Sequence, residues 1–358
     1  MQDKDKILII DKTPFGKLTD SFKWCEYLRK DYDITFICLS PKNQSEILCM
    51  DGVHVKHITS AGPYWVRGLR YMLACLYAVL RFHGVILIVY FEHCGVFKKC
   101  FPWKKIWIDI RTLAVCGTKE EKDSYDNKIR QVCSKSDYVT TVSEGVANYL
   151  KLTNPTVSVL PLGSDIISQA KKDYSKLRLL YVGTLSGRNI DITIDGVAKF
   201  LTKFPAAEIE YKIIGSGFGN ELELMKSKVH ALGLEKCIHF LGLIPHHQLA
   251  SHFNSSNIGV SFVPITEAYN RQPVTKTFEY ANSGLFVIGT ATDENIKVIS
   301  PDNGILIQDT IDGFFDGLCQ VYERKSLIRE ERVRSSLKTY TWKNIIDNYF
   351  RPVLNQLK

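Results

Sequence analysis

Short apolar runs recur along this chain at intervals that leave room for a helix between each pair. This alternation constrains the fold more than any other feature of the sequence. In the first half, Lys6–Ile10, Ile34–Leu39, Val53–Ile58, Val85–Phe91, Ile106–Ile110, Tyr138–Val142 and Val157–Leu160 read as strands. Asp20–Lys30, Val66–Phe82, Glu120–Ser134 and Glu144–Leu150 read as the helices between them. After a polar stretch from Gly163 to Arg178, the pattern starts again. Strands are expected at Leu179–Val182, Glu210–Gly215, Ile238–Leu241, Ile258–Phe262, Leu285–Ile288 and Gly304–Ile307, and helices at Ile190–Phe204, Glu221–Leu232, His247–Asn254 and from Pro273. Strands that alternate with helices form parallel sheets covered on both faces, which is why runs such as Val85–Phe91 are apolar throughout rather than every second residue. The fold class implied is α/β, with two open sheets in tandem.

The expected organisation is a first domain over residues 1–165, a linker over 166–178, a second domain over 179–338 and a terminal helix over 339–358. In that last segment Ile345, Ile346, Tyr349, Phe350 and Leu354 fall on one face. The pattern alone fits a helix returning to the first domain and a helix packing on the second equally well.

A length of 358 residues suits two domains of ordinary size. Ten cysteines are scattered without a C-x-x-C pair or a Cys/His cluster, which implies reduced thiols in a cytoplasmic setting. The N-terminus, M-Q-D-K-D-K-I-L-I-I, runs directly into a strand and lacks a signal-peptide layout. Charge is unevenly placed. Between His54 and Gly117 nine Lys and Arg face two acids, so this segment holds +7 of the chain's +8. Such a patch attracts phosphate-rich partners, either nucleic acid or an anionic membrane. Tyr64–Phe82 adds an aromatic, leucine-rich helix with Arg67, Arg70 and Arg81 interspersed. Its charge-free core, Tyr71–Leu80, is ten residues long. Spanning a bilayer takes about twenty, so the segment fits either peripheral contact with an anionic surface or a core-packed helix with an arginine edge.

The densest chemistry lies in P-V-T-K-T-F-E-Y-A-N-S-G-L-F-V-I-G-T, Pro273–Thr290. Pro273 suits a first helical turn, and Gly284 can adopt the left-handed conformation that ends a helix. Lys276 and Glu279, three apart, share a face. A helix start offers free N–H donors and partial positive charge to phosphate, and a carboxylate one turn further in can accept from sugar hydroxyls. Thr275 and Lys276 at the start, with Glu279 behind them, make a candidate nucleotide-sugar site.

This stretch resembles the donor-site helix of the family 4 retaining glycosyltransferases, whose architecture is the two-Rossmann-domain GT-B fold. Four further landmarks support the resemblance in order: Y-V-G-T-L-S-G-R-N at Tyr181–Asn189, K-I-I-G-S-G at Lys212–Gly217, C-I-H-F-L-G-L-I-P at Cys237–Pro245 and N-I-G-V-S-F-V-P at Asn257–Pro264. The first domain resembles the family more loosely, through D-Y-V-T-T-V-S-E-G at Asp137–Gly145, V-S-V-L-P-L-G-S-D at Val157–Asp165 and I-D-I-R-T at Ile108–Thr112. The resemblance implies an interdomain cleft, a C-terminal helix that crosses back to the first domain, and metal-independent transfer of a hexosyl-type group with retention. The donor would be a nucleotide-diphosphate sugar. The acceptor would be a glycan or glycolipid, in cell-surface polysaccharide synthesis. It also implies that Glu279 holds the donor ribose and that backbone groups at Leu243 hold the base. One departure stands out: where many members place a first glutamate, eight positions before Glu279, this chain has Arg271, with Glu267 nearby but out of register. Arg271 is thereby a candidate catalytic-site cation, able to meet a diphosphate or an acidic sugar.

Other candidates follow from placement. Lys276 and Arg188 are expected to face the donor diphosphate, because a departing diphosphate needs cations where its charge accumulates. Gly183 and Thr184 follow a strand and would let backbone amides approach phosphate. Gly215 and Gly217 lie in a G-x-G-x-G cluster that lacks the downstream acid of a dinucleotide fingerprint, and would line the nucleotide cleft. Gly16, in Phe15–Lys17, would touch the donor phosphate or the acceptor. Asp109 and Arg111, ending an apolar strand, are candidates for acceptor binding or catalysis. Plain alternatives stand beside each: turn glycines, a surface arginine, a solvated lysine, a structural Asp–Arg pair. Ser143 and Glu144 read as a helix cap. No histidine spacing suggests a metal, and no cofactor is expected. The rival functions are a nucleotide-sugar 2-epimerase, which would consume donor without acceptor, and a non-catalytic nucleotide-sugar or glycan binder. Nucleic-acid binding rests on charge alone, and the acid-bearing helix argues against it.

Overall fold

A computed structural model describes residues 4–43, 46–115, 117–152 and 157–357 and resolves the alternation into two parallel sheets. Residues 1–3 lie outside the described residues. The chain divides into two compact units, Met1–Leu162 with Trp342–Lys358, and Gly163–Thr341.

Unit 1 holds seven strands: β1 (Lys6–Ile10), β2 (Asp33–Leu39), β3 (Val53–Ile58), β4 (Val85–Val89), β5 (Ile106–Ile110), β6 (Tyr138–Thr141) and β7 (Val157–Val159). Their spatial order is β3-β2-β1-β4-β5-β6-β7, every pairing parallel. β4 and β5 are buried at every residue, as expected for strands covered on both faces. The C-terminal segment belongs to this unit. Phe350 lies 5.2 Å from the Trp24 ring and 4.8 Å from Trp107, and Arg351 pairs with Asp31 at 2.6 Å. Each such buried aromatic contributes roughly 1.5–3 kcal/mol over an exposed one, and that burial is what draws the terminal helix onto these strands.

Unit 2 holds β8 (Leu177–Val182), β9 (Ile209–Ile214), β10 (Ile238–Gly242), β11 (Ile258–Ser261), β12 (Phe286–Thr290) and β13 (Gly304–Ile307). They lie in the order β10-β9-β8-β11-β12-β13, again all parallel. The direction of winding reverses between β8 and β11. Open α/β sheets bind ligands at such a reversal, beyond the carboxyl ends of the strands.

The polar stretch read as a linker is not free of its neighbours. It forms no helix; Ser164 bridges to Thr341, and its last two residues, Leu177 and Arg178, begin β8. The stretch is tied to unit 2: Ser164 donates its amide to Tyr340 O at 2.9 Å, Tyr174 donates its hydroxyl to Gly284 O at 2.7 Å, and Arg334 donates to Ser168 O and Ala170 O at 2.7 and 3.0 Å. Lys172 is buried there, and burial together with Arg334 lowers its ammonium to about 8. Composition reported this segment's polarity; it could not report that the polar groups are bonded inward.

Candidate functional site

Three loops at the carboxyl ends of β8, β9 and β10 are stapled to one another through backbone bonds. Gly183 N donates to Ile214 O at 2.9 Å, Leu185 N to Ser216 O at 3.0 Å, and Gly215 N to Gly242 O at 2.8 Å. The glycines permit this closeness. Gly183 and Gly215 have φ of 153° and 151°, and a Cβ on Gly215 would stand 1.8 Å from the Gly183 carbonyl oxygen. No other residue type fits.

Against these loops stands the helix Thr275–Asn282. Its N-cap, Val274, provides no side-chain cap, so the first-turn amides, Thr275 and Lys276 among them, stay open to an anion. The helix is fixed from below. Tyr280 Oη accepts from Val182 N at 2.8 Å, and its ring lies against Gly259, where a Cβ would come within 2.3 Å. Thr277 Oγ1 bonds to Ser261 Oγ at 2.7 Å and Asn295 Oδ1 at 3.0 Å, all three buried.

Two cations converge here. The Lys276 ammonium lies 3.9 Å above the Tyr181 ring centroid and would be 3.0 Å from a Cβ on Gly183. Arg188 stacks on Tyr269 at 4.3 Å. Among the described residues neither cation forms a salt bridge. Burial, and then Arg188, hold Lys276 well below the ordinary lysine range, with Glu279 opposing them in part. A pair of positive groups held together without a carboxylate between them is poised for a multiply charged anion. The aromatic faces beneath them add to the partial compensation from Glu279.

Glu279 is mostly buried at its side chain, 12% exposed, and meets His246 Nε2 at 3.2 Å. Leu243, just after β10, is 77% exposed, so its neighbourhood is open. The structure thus gathers Gly183, Thr184, Arg188, Gly215, Gly217, Thr275, Lys276 and Glu279 around the carboxyl ends of β8 and β9 and the start of one helix. Thr184 contributes its carbonyl, which accepts from Tyr181 Oη at 2.5 Å. At Gly217 a Cβ would meet the tip of the Glu221 side chain at 2.5 Å, a contact that side chain can relieve by moving. Arg271 follows the short helix Glu267–Asn270 and donates to Glu267 O at 2.8 Å, with its guanidinium 3.2 Å from the Glu267 carboxylate. The out-of-register acid is therefore the partner of the arginine that replaces the expected one.

Three expected residues belong to unit 1. Gly16 has a φ of 86° in the loop after β1. Asp109 is fully buried and accepts from Thr140 Oγ1 and from Arg111 Nε at 2.7 Å. Arg111 reaches Asp20 at 2.8 Å and also donates to Leu160 O. Every charged group in this set has a partner inside the unit, the geometry of a structural pair. Ser143 accepts from Val146 N at 3.1 Å and caps its helix.

Sequence reasoning missed His246, Tyr181 and Tyr269. His246 carries no motif in the sequence; the 3-10 turn His246–Gln248 turns it toward Glu279. The aromatic residues carried no spacing signal, because each cation and its ring come from segments far apart in the chain. Among the described residues no group of three or more His, Cys, Asp or Glu could hold a metal ion.

Residues 198–351 match the family model described as glycosyl transferase-like. No curated protein matches the chain by sequence. Among solved structures, the chain is similar to sucrose-phosphate synthase from Thermosynechococcus elongatus, with 15% identity, a TM-score of 0.76, and coverage of 99% of this chain and 100% of that one. It is similar to Anabaena Alr3699/HepE in complex with UDP, at 12% identity and a TM-score of 0.77, covering 98% and 100%. It is also similar to WaaG, a glycosyltransferase involved in lipopolysaccharide biosynthesis, at 13% identity and a TM-score of 0.69, covering 96% and 99%. Sequence identities this low speak for the fold: the chain has the two-Rossmann-domain fold of the GT-B glycosyltransferases, and its residues 198–351 fit a glycosyl transferase-like family.

Proposed function

We propose that this protein is a retaining, metal-independent glycosyltransferase that moves a sugar from a nucleoside-diphosphate sugar to a glycan or lipid-linked acceptor in polysaccharide synthesis. It would work as a peripheral protein on the cytoplasmic face of a membrane. The observation that carries the reading is the cation pair Lys276 and Arg188, without a carboxylate partner and set beside the Gly183 and Gly215 loops and an uncapped helix start. In this reading the amides of Thr275 and Lys276 hold the diphosphate, and the two side-chain cations stabilise it as it leaves with the bonding electron pair of the anomeric carbon. Glu279, oriented by His246, accepts from the ribose hydroxyls, and the base lies over the backbone at Leu243. Arg271 meets the transferred sugar or the diphosphate from the side. The similar Anabaena structure was solved with UDP, so uridine donors are the first to test.

The test is a thermal-shift screen of nucleotide sugars, since a ligand that binds only the folded state raises the melting temperature. UDP or a UDP-sugar is expected to raise it, and Glu279→Ala to remove that rise. An unchanged rise in Glu279→Ala would assign the ribose to another residue, and no rise with any nucleotide would remove the donor site. Release of nucleoside diphosphate only when acceptor is added then separates transfer from epimerisation.

A further inference from the structure

The helix Tyr64–Arg81 in unit 1 is apolar on two opposite faces, and one alone is needed for folding. Tyr71, Cys75 and Val79 are buried against β2 and β3. Trp65, Leu69, Leu73, Tyr77 and Leu80 form a second stripe facing solvent, with exposures from 51% to 71%; Tyr64, 73% exposed, stands at the start of the helix outside that stripe. Spacings of three and four residues place them along one side. An exposed apolar strip of this length on a soluble surface marks a contact site.

Charge identifies what it contacts. The helix contains no acid. Arg67 lies 5.4 Å from the Tyr64 ring and Arg81 lies 4.9 Å from the Tyr77 ring, so Arg81 borders the apolar strip and Arg67 stands beside Tyr64 at the start of the helix. Neither is paired with a carboxylate among the described residues. Beyond the C-terminal end, Phe82 and His83 enter a cavity of about 550 Å³ that Lys4, Lys6, Trp103, Lys104 and Lys105 also line, with Asp5 as its acid. Trp103 is 68% exposed. An apolar strip edged by arginines and ending at tryptophan and lysines is suited to the boundary between acyl chains and anionic headgroups. No helix among the described residues is long and apolar enough to cross a membrane, so this one would lie in the surface.

We propose that the solvent-facing stripe of Tyr64–Arg81, with Arg67 and Arg81 at its edge, docks unit 1 onto an anionic lipid surface. This deepens the peripheral-membrane part of the function above by naming the contact. Its test contains no sugar nucleotide, so its failure would leave the transferase reading standing.

The full chain is sedimented with vesicles of phosphatidylglycerol and, separately, of phosphatidylcholine. Binding to the first and much weaker binding to the second are expected, with the difference reduced by salt. Leu69→Asn with Leu73→Asn is expected to abolish sedimentation. Arg67→Gln with Arg81→Gln should lower partitioning on the order of thirtyfold, since each basic group near such a surface is worth about 1 kcal/mol. Leu69, Leu73 and Arg81 are exposed and Arg67 is half-buried, and unchanged tryptophan fluorescence would confirm that each variant is folded. A parent protein that stays in the supernatant, or variants that bind like the parent, would overturn the proposal. So would a lipid-free dimer that Leu69→Asn with Leu73→Asn dissociates, because the stripe would then be covered by a second copy.

Discussion

The backbone amide of Val182 donates to the hydroxyl of Tyr280 across 2.8 Å, tying the last residue of β8 to the second turn of the helix that carries Lys276 and Glu279. Both residues precede or follow a site residue by one position. The bond therefore sets the distance between the Gly183 loop and the Glu279 carboxylate. Tyr280→Phe keeps the ring against Gly259 and leaves the Val182 amide without its partner. The expected cost is about 1–3 kcal/mol, or roughly 2–4 °C per kcal/mol in a unit of this size, with weaker donor affinity. Calorimetry and nucleotide titration measure the two effects. A variant that melts and binds like the parent would mean that water replaces the hydroxyl without loss.

Gly215 allows a sharper comparison. Gly215→Ala puts a methyl 1.8 Å from the Gly183 carbonyl oxygen at a φ of 151°, so one loop must move. Loss of nucleotide response and a destabilisation above about 4 kcal/mol are expected. Gly219, four residues on, has a φ of 69° and nothing within 4 Å of a new Cβ. Gly219→Ala should cost about 1–2 kcal/mol and keep the response. Equal behaviour of the two variants in a thermal-shift titration would count against the close approach of the two loops.

Two of the site's layers were legible in the sequence and one was not. The central strands announced themselves because they are buried on both faces, so Val85–Val89 and Leu285–Ile288 are continuous apolar runs. Lys276, Glu279 and the glycines lie next to strand ends, where local order in the chain maps onto position in space. What could not be read was pairing across distant segments. The Glu279–His246 contact spans 33 residues and that of Arg111 with Asp20 spans 91; neither has a periodicity. The polar segment 163–176 likewise gave only its composition, while its bonds to Tyr340, Gly284 and Arg334 depend on elements folded more than a hundred residues later.

Asp109 distinguishes a structural pair from a catalytic one. Its carboxylate is pushed up to about 6 by burial, against the pull of Arg111 and Thr140. The folded value lies above 3.8, so between those two limits the folded state holds the extra proton. This group's contribution to stability is full below pH 3.8 and falls as pH rises toward 6. Asp109→Asn should flatten that slope, while Arg111 keeps Asp20 as its charged partner. All five tryptophans lie in unit 1, so urea unfolding followed by tryptophan fluorescence reads that unit alone. The UDP-dependent thermal shift should survive. A stable Asp109→Asn protein that has lost only acceptor transfer would restore the catalytic role.

Lys276 should trade stability for binding. Burial and Arg188 depress its ammonium well below 10.5, so between the depressed folded value and 10.5 the unfolded chain holds more protons. Stability contributed by this group therefore rises with pH through that window, and below it the full penalty of a buried, repelled charge is present. Lys276→Met keeps an apolar stem over Tyr181 and removes the penalty. It should melt higher than the parent near neutral pH, the gap closing as the solution becomes alkaline, while its response to UDP disappears. The parent should take up protons when a diphosphate binds on the alkaline side of that folded value, because the anion restores the lysine's charge. Calorimetric titration in buffers of different ionisation heat measures that uptake directly. A Lys276→Met protein that melts lower, or that still answers to UDP, would show that this ammonium already has its counter-charge in the empty protein and is not reserved for a phosphate.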